Sequence, residues 1–187
     1  MSQPDTIDGM ARVPYVDPAT ASPDTAKALG GLPDLHVFTL LANAESAFVP
    51  WLRFGGALLT HLALDPLLRE LTILQVGRLA ARYEWEQHVA AAQACGATDE
   101  QLAALDQGDL TPFTSEQRAV LQFAADMVRD GEVPDDRYAA LAEHLGTREI
   151  VEVSLVAGTY LGLARIMTAL RIDPDVPAPL GAVRMST

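Results

Sequence analysis

Residues 67–96, LLRELTILQVGRLAARYEWEQHVAAAQACG, decide the fold of this chain. Apolar side chains recur in the first half at three- and four-residue spacing, which predicts a helix. They are Leu68, Leu71, Leu74 and Leu79, with Ile73 and Val76 widening the stripe. Asp65 is placed to cap this helix and Pro66 to occupy its first position. The second half predicts another helix over residues 84–95, which Gly96 ends.

The same helical spacing continues on both sides of this segment. Thr98 and Thr114 each precede a glutamine by three residues, a pattern that starts helices. A long apolar helix is predicted from Thr147 to about Arg171. No segment alternates apolar and polar residues as a strand does. We therefore predict an all-α fold of seven to nine helices.

Segments rich in proline and polar residues flank the helical region. Residues 1–30 are predicted to form an extended N-terminal arm, and residues 173–187 a similar C-terminal tail. Residues 31–172 then form one helical domain, in agreement with the chain length. Gly158 and Gly162 are one turn apart and are expected to leave a groove for a neighbouring helix backbone.

Composition excludes several classes of function. The chain has 187 residues, is 49% hydrophobic, and carries a formal net charge of −12 at pH 7. Nucleic acids and anionic membranes are bound by clustered cations, so neither is an expected partner. The single cysteine, Cys95, excludes an internal disulfide and is expected to be a buried apolar residue. Without a visible signal peptide or membrane span, we expect a cytoplasmic protein.

Three ionisable side chains in the central segment suit proton transfer. Glu70 is an acid in an otherwise apolar helix, and Glu84 lies four residues before His88 on the same helical face. A carboxylate that orients an imidazole makes it an acid or base near neutral pH. The structural alternative pairs Glu70 with Arg69 or Arg78 in a first turn, and leaves Glu84 and His88 as a surface pair.

Glu70 and His88 can act together only if the chain reverses between them. One straight helix would separate these residues by about 27 Å, because 18 residues each add about 1.5 Å. The reversal must fall between Ala80 and Glu84, where the sequence has neither glycine nor proline. A carboxylate is favoured in a first turn, so Glu84 is compatible with a new helix at that point.

Sequence motifs for metals and nucleotide cofactors are absent. The chain has no HExxH, GxGxxG, P-loop or GxSxG motif. We therefore expect a protein that needs no cofactor or metal. A metal site built from Glu70, Glu84 and His88 is kept as an alternative.

RELTIL at residues 69–74 and YEWEQHVAAAQACGATDEQLAAL at residues 83–105 resemble the carboxymuconolactone decarboxylase family. This family includes alkyl hydroperoxide reductase D. The resemblance extends over residues 35–172, with FTSEQRAVLQF at residues 113–123 and the last helix at residues 153–170 in matching order. It implies an all-helical domain that assembles as a homo-oligomer (a dimer, trimer or hexamer) with sites near subunit contacts.

The resemblance also assigns positions in the family motif. The peroxidase branch has a glutamate, then CxxC at a helix start, then a histidine four residues after the second cysteine. Glu70 and His88 match the glutamate and histidine, whereas Ala81 and Glu84 occupy the cysteine positions. Cys95 replaces neither of them. Because peroxide reduction needs a thiolate and an exchange partner, the chain resembles a YEWxxH variant that is not a thiol peroxidase.

Aromatic and basic residues are candidates for binding a substrate. They are Tyr83, Trp85 and Tyr160, and the arginines Arg78, Arg82 and Arg165. We expect the rings to form the wall of a pocket for a planar small molecule. Guanidinium groups bind carboxylates through paired hydrogen bonds, so the arginines are candidates to hold a substrate carboxylate.

The residues and the resemblance together favour a cofactor-independent lyase or isomerase of the carboxymuconolactone decarboxylase type. His88 would act as general acid and base, tuned by Glu70 and Glu84, on a small oxygenated organic acid, lactone or polyketide-like molecule. The alternative is a non-catalytic oligomer that lost its redox cysteines and binds a ligand or partner. A pocket that joins Glu70 and His88 would favour the enzyme.

Overall fold

The computed structural model describes residues 11–175, and every helix or strand assigned within them is an α-helix. The helices are α1 (Pro23–Leu29), α2 (His36–Leu41), α3 (Glu45–Thr60), α4 (Pro66–Ala80), α5 (Arg82–Ala94), α6 (Asp99–Gln107), α7 (Ser115–Arg129), α8 (Asp135–Ala142) and α9 (Thr147–Leu170). The predicted all-α class is confirmed. The nine helices of this range also agree with the predicted number.

Helix α4 lies at the centre of the domain. All residues from 70 to 77 are buried, so the helix is enclosed on every side instead of along one stripe. It packs against α5, α7 and α9. Leu71 and Leu74 join one apolar cluster with α5 and α7, and Ile73 and Val76 join another with α9. Polar residues between positions 70 and 77 of α4 are therefore inside the protein whichever way they face.

The predicted starts of α4, α6 and α7 are confirmed by their capping hydrogen bonds, whereas α5 begins at Arg82 and not at the predicted residue 84. The Asp65 carboxylate accepts hydrogen bonds from two first-turn amides of α4 at 2.8 and 3.3 Å. Thr98 and Thr114 form complete capping boxes with Gln101 and Gln117, respectively. These bonds satisfy amides that have no partner within the helix. Local sequence thus determines where α4, α6 and α7 begin.

The N-terminal arm predicted over residues 1–30 is not extended throughout. Pro23–Leu29 forms α1, with Pro23 in the first turn, where its missing N–H is not needed. Leu29 packs in an apolar cluster with Ala42 and Phe48. The prediction was wrong here because this proline starts a helix. Residues 1–10 of the arm lie outside the described range.

Segments near the two ends of the described range are joined to each other. The Tyr15 hydroxyl donates to an Asp173 carboxylate oxygen at 2.9 Å and accepts from the Asp173 amide at 2.9 Å. Asp175 binds the His36 ring at 2.7 Å, and the rings of Tyr15 and His36 stack. The first residues of the predicted tail therefore lie on the N-terminal segment, while residues 176–187 lie outside the described range.

Helix α9 combines a buried and an exposed face. Among the described helices it alone has the length and apolar character to cross a membrane, but 44% of its most apolar window is buried. It packs on α4 and α7, which is the position of a core helix. Gly158 and Gly162 face outward, and no described atom of another element lies within 4 Å of a Cβ placed there. The expected neighbouring backbone is therefore not part of this chain's described residues.

Candidate functional site

The site depends on a sharp reversal of the chain at Ala81. This residue has extended backbone, with φ −159° and ψ 114°, so α4 ends before it and α5 starts after it. The two helices approach closely because Gly77 has no side chain. A Cβ at Gly77 would lie 2.6 Å from the backbone nitrogen of Trp85. The reversal required for Glu70 and His88 to meet is therefore present.

Glu70 and His88 form a buried hydrogen-bonded pair. The His88 Nδ1 atom lies 2.8 Å from Glu70 Oε2, and the two side chains are 10% and 1% exposed. Arg69 contacts the other oxygen, Oε1, through Nε at 2.9 Å and Nη2 at 2.8 Å. An ionised carboxylate only accepts hydrogen bonds, so Nδ1 carries the proton. In the neutral ring, Nε2 is then the basic nitrogen.

The surroundings of Glu70 keep it ionised. Burial raises the pKa of Glu70, but the hydrogen bond and charge of His88, together with Arg69, outweigh burial and lower the pKa. Arg69 also donates from Nη1 to the Leu59 carbonyl at 2.6 Å. Its guanidinium is therefore committed to a carboxylate and to the backbone.

A cavity of about 350 Å³ opens beside this pair. Most of its wall is apolar and includes Leu35, Val37, Phe38, Trp51, Leu163 and Met167. The polar part of its wall includes Glu70, Tyr83, Glu84, Gln87, His88 and Tyr160. A mainly apolar cavity with a few convergent polar groups is the usual form of a small-molecule site. The pocket expected at Glu70 and His88 is thus present.

Glu84 provides a carboxyl group of the opposite character. Its side chain is buried, and neither oxygen has a hydrogen-bond partner on another described residue. Burial raises the pKa of Glu84 to about 8, opposed only by its own backbone N–H. The carboxyl is therefore mostly protonated at neutral pH and can donate a proton. The nearby Gln87 Oε1 atom is also buried without a partner.

Two tyrosines complete the polar part of the cavity. The Tyr160 ring meets the His88 ring edge-on, with centroids 5.1 Å apart, and burial raises the pKa of Tyr160 above its ordinary value. The Tyr83 hydroxyl hydrogen-bonds to Asp175. Burial and this contact raise the pKa of Tyr83. Both phenols therefore remain protonated at neutral pH.

The structure places Trp85 on the opposite side of α5, which corrects its predicted role as a pocket wall. The indole is 4% exposed and packs in the apolar cluster that contains Leu71 and Leu74. Glu84, Gln87 and His88 lie on the side of α5 that faces the cavity, whereas Trp85 lies on the side that faces this apolar cluster. Phe38 and Trp51, which were not predicted for the site, provide aromatic wall instead.

The three arginines proposed to bind a substrate carboxylate are not in the cavity. Arg82 faces solvent and binds Asp106, with Nη1 and Oδ1 2.5 Å apart. Arg165 is exposed on the outer side of α9. Arg78 lines a separate cleft. The arginine at the cavity is Arg69, which the sequence predicts only as a structural partner of Glu70.

Gln87 is the polar residue that the sequence analysis missed. It lies three residues after Glu84 on α5, a spacing that places both on one helical face. This spacing predicts that Gln87 faces the cavity once Glu84 is assigned to the site. It was overlooked because an uncharged amide has no titration to attract attention.

Cys95 is partly buried, so the expectation of full burial was wrong. Burial raises the pKa of the Cys95 thiol, and the charge of Glu70 adds to this effect. The thiol is therefore protonated at neutral pH and is a poor nucleophile.

The described residues include no group of three or more His, Cys, Asp or Glu side chains placed to hold a metal ion. In the trio considered from sequence, Glu70 and the Nδ1 atom of His88 are already bonded to each other. Glu84 has no bond to either of them. The geometry thus lends the metal alternative no support.

Comparison with known proteins gives a family match in the same segment. Residues 47–126 match the model of the carboxymuconolactone decarboxylase family, and this range contains Glu70, Glu84 and His88. A search of curated proteins finds none that matches the chain.

Solved structures show the same fold. A peroxidase-related protein from Ralstonia eutropha JMP134, described as an alkylhydroperoxidase AhpD core, has a TM-score of 0.76 and 20% identity, covering 91% of this chain and 99% of that chain. A peroxidase-related protein from Silicibacter sp. TM1040 has a TM-score of 0.77 and 20% identity, with coverages of 92% and 96%. A protein of unknown function from Agrobacterium tumefaciens has a TM-score of 0.63 and 20% identity, with coverages of 72% and 95%.

The family match and the fold agree with each other. The matched residues contain α4, the reversal at Ala81 and α5, and thus the Glu70–His88 pair. The fold similarity extends over nine-tenths of the chain in two of the three structures. The sequence has one cysteine, so it lacks the CxxC pair. Residues 47–126 therefore match the carboxymuconolactone decarboxylase family, and the chain has the AhpD-like fold.

Proposed function

We propose that this protein is a cofactor-independent lyase or isomerase that moves a proton on a small, uncharged, oxygenated molecule. The observation that carries the proposal is the buried carboxyl of Glu84, which has no hydrogen-bond partner among the described residues and lies in the same cavity as the His88–Glu70 pair. The family match over residues 47–126 is compatible with decarboxylase or peroxidase-related chemistry. The two-thiol peroxidase route needs a second cysteine, which this chain lacks.

The two carboxyl groups have different roles in this proposal. Glu70 remains ionised, holds the His88 ring through Nδ1, and stabilises the imidazolium that forms when Nε2 takes a proton from the substrate. Glu84 remains protonated and delivers its proton to another substrate atom. Transfer of the proton from His88 back to Glu84 then restores the starting state. The cycle needs no oxidant, reductant or cofactor.

The charge of the cavity favours an uncharged substrate over a free organic acid. Among the described residues, Arg69 is the only lysine or arginine that lines the cavity, and it is already bonded to Glu70 and a carbonyl. A buried carboxylate without its own cation is costly. The carbonyl oxygen of a lactone, ester or polyketide-like ketone instead accepts a proton from Glu84. A hydroxyl group on such a substrate donates a hydrogen bond to Gln87 Oε1.

The lack of a free cation in the cavity wall also favours some lyase and isomerase reactions over others. Decarboxylation starts from a carboxylate, for which the cavity offers no free cation. A proton shift between two atoms of an uncharged substrate needs only a base and an acid on the wall, as His88 and Glu84 provide. The proposal is therefore an isomerisation or an elimination.

Proton exchange in heavy water tests the proposal without knowledge of the natural substrate. A panel of uncharged lactones and β-keto esters is incubated with the protein in D₂O, and loss of the acidic C–H signals is followed by proton NMR. We expect catalysed exchange that falls about 100-fold or more in His88→Ala, because general base catalysis contributes about that much. His144→Ala, at an exposed position outside the cavity, is the matched control and retains the exchange.

Equal rates for His88→Ala and the unmodified protein would exclude the proposed base. Saturable binding of panel compounds without exchange would identify the non-catalytic ligand-binding alternative. Faster reaction of the free acids than of their esters would contradict the proposal that the substrate is uncharged.

A further inference from the structure

A second cleft lies where α4, α7 and α8 meet beside the end of α6. It has a volume of about 220 Å³ and shares no lining residue with the first cavity. Three arginines line it: Arg78, Arg129 and Arg137. Asp126 is the one carboxylate in its wall. A cluster of cations is unexpected in a chain with a formal net charge of −12.

The positive charge of the cleft is only partly compensated by the protein. Arg137 binds Asp126, with Nε and Oδ2 2.9 Å apart. In the described part of the chain, neither Arg78 nor Arg129 has a carboxylate within 4 Å. Burial and the charge of Arg129 lower the pKa of Arg78, while the charge of Asp106 acts in the opposite direction. The guanidinium groups of Arg78 and Arg129 therefore repel each other, and no carboxylate of the described residues pairs with either of them.

Buried and half-buried side chains hold Arg78 and Arg137 in position. Gln75 is 2% exposed; its Nε2 donates to the Leu121 carbonyl at 2.9 Å, and its Oε1 accepts from Arg78 Nε at 3.0 Å. Gln122 likewise accepts from Arg137 Nη1 at 2.8 Å. Among the described residues, these contacts leave the terminal nitrogens of Arg78 without a hydrogen-bond partner, in an orientation that Gln75 fixes.

Gly108 keeps the approach to Arg78 open. It has φ +79°, a left-handed conformation in which glycine is favoured, and it ends α6. A Cβ at this position would lie 3.1 Å from Arg78 Nη1. The absence of a side chain therefore keeps space beside the guanidinium.

We propose that this cleft is a binding site for a small oxyanion with two negative charges, a phosphate or a dicarboxylate, held by Arg78 and Arg129. Guanidinium groups bind such oxygens with paired, charge-assisted hydrogen bonds. The anion would compensate the unpaired cations and link α4 to α7. The site is separate from the proton-transfer cavity and does not depend on the function proposed for it.

Titration with inorganic phosphate and with succinate, at constant ionic strength set by sodium chloride, tests this site. Calorimetry gives the affinity, and thermal unfolding gives the stabilisation expected from a ligand that binds only the folded state. We expect at least one dianion to bind the unmodified protein and to raise its Tm. Arg78→Gln and Arg129→Gln should each weaken that binding about tenfold or more, because each removes a charge-assisted contact.

Arg165→Gln is the matched control, since it removes the same charge at an exposed position outside both cavities. Arg129 is also exposed, so Arg129→Gln tests the site without a risk to folding. The dianion that binds more tightly identifies which of the two ligand chemistries the site takes. Equal binding by all variants, or no binding of either dianion beyond that of chloride, would overturn the proposal.

Discussion

Glu70 and Glu84 are both buried carboxyl groups, yet their neighbours drive their pKa values in opposite directions. Glu70 has His88 and Arg69 as partners, so its charged form is stabilised despite burial. Glu84 has no partner on another described residue, so burial acts almost alone and favours its neutral form. One cavity therefore holds an acid and a base at the same pH, which is the requirement for a proton shift.

Glu84→Gln should remove a pH-dependent loss of stability. The pKa of Glu84 is about 8 in the folded protein and has its ordinary value of 4.5 in the unfolded chain. Between these two pH values, the folded state therefore binds more protons than the unfolded state. The free energy of unfolding must then fall as pH rises from about 5 to 8. The amide that replaces the carboxyl in the variant cannot ionise. In urea denaturation, we expect Glu84→Gln to gain on the order of 2–4 kcal/mol relative to the unmodified protein between pH 5.5 and pH 8.5.

Glu86→Gln is the matched control for this measurement, because Glu86 is an exposed residue of the same helix. We expect its stability to follow that of the unmodified protein at both pH values. If the stability of Glu84→Gln also follows that of the unmodified protein at both pH values, Glu84 is charged in the folded state.

At the residue scale, the sequence predicts the ionisable groups of the site better than its walls. Glu70, Glu84 and His88 stand out because acids and histidines are unusual in apolar helices. Trp85 was assigned to the wrong side and Gln87 was overlooked, because the rotation of α5 about its axis depends on tertiary packing. A shift by one residue turns a helical side chain by about 100°.

At the scale of elements, the contact between α4 and α5 is the structural basis of the site. Gly77→Ala places a Cβ 2.6 Å from the backbone nitrogen of Trp85, which no side-chain rotation can relieve. We expect a loss of about 1–3 kcal/mol or more in the free energy of unfolding, as for other overpacked cores. Chemical denaturation measures this loss. Displacement of α5 should also lengthen the Glu70–His88 distance, and we therefore expect slower proton exchange in this variant.

Gly158→Ala provides the control, since no described atom of another element lies within 4 Å of a Cβ there and the residue is inside α9. Alanine is the better helix former, so we expect a gain of roughly 0.5–1 kcal/mol. If both variants lose the same stability, the close approach at Gly77 is not what limits the packing of α4 and α5.

Element boundaries were predictable where a side chain determines them. Asp65, Thr98 and Thr114 satisfy backbone amides locally, and each marks its helix correctly. The reversal at Ala81 carries no such signal, because packing of α5 on α4 imposes it. Helix α1 was missed because its proline is compatible with both an arm and a first turn.

At the scale of the whole molecule, the contacts between the N-terminal and C-terminal segments close the fold beside the cavity. Tyr83 lines the cavity and also bonds to Asp175, so the C-terminal segment supports a cavity wall. Tyr15 binds both the side chain and the amide of Asp173. The described residues near both ends therefore belong to the domain that carries the site, a feature that local sequence patterns did not reveal.

Tyr15→Phe should weaken this closure. It removes the hydroxyl that bonds to Asp173, so we expect a loss of about 1 kcal/mol in the free energy of unfolding. Hydrogen exchange should also become faster for the Arg12 amide, which bonds to the Leu170 carbonyl. Tyr138→Phe, at a tyrosine that is 49% exposed, is the control and should change neither quantity. Unchanged exchange in Tyr15→Phe would show that the closure does not depend on this hydroxyl.

The extended backbone of Ala81 makes no demand on the side chain at that position, because any L-amino acid adopts it. Position 84 lies in the first turn of α5, and its side chain reaches the cavity. By the resemblance, the peroxidase branch has its two cysteines at these positions. Under the proposed function, the side chains at these two positions would decide between redox and proton chemistry, and neither choice requires a change in the helices or in the reversal around them.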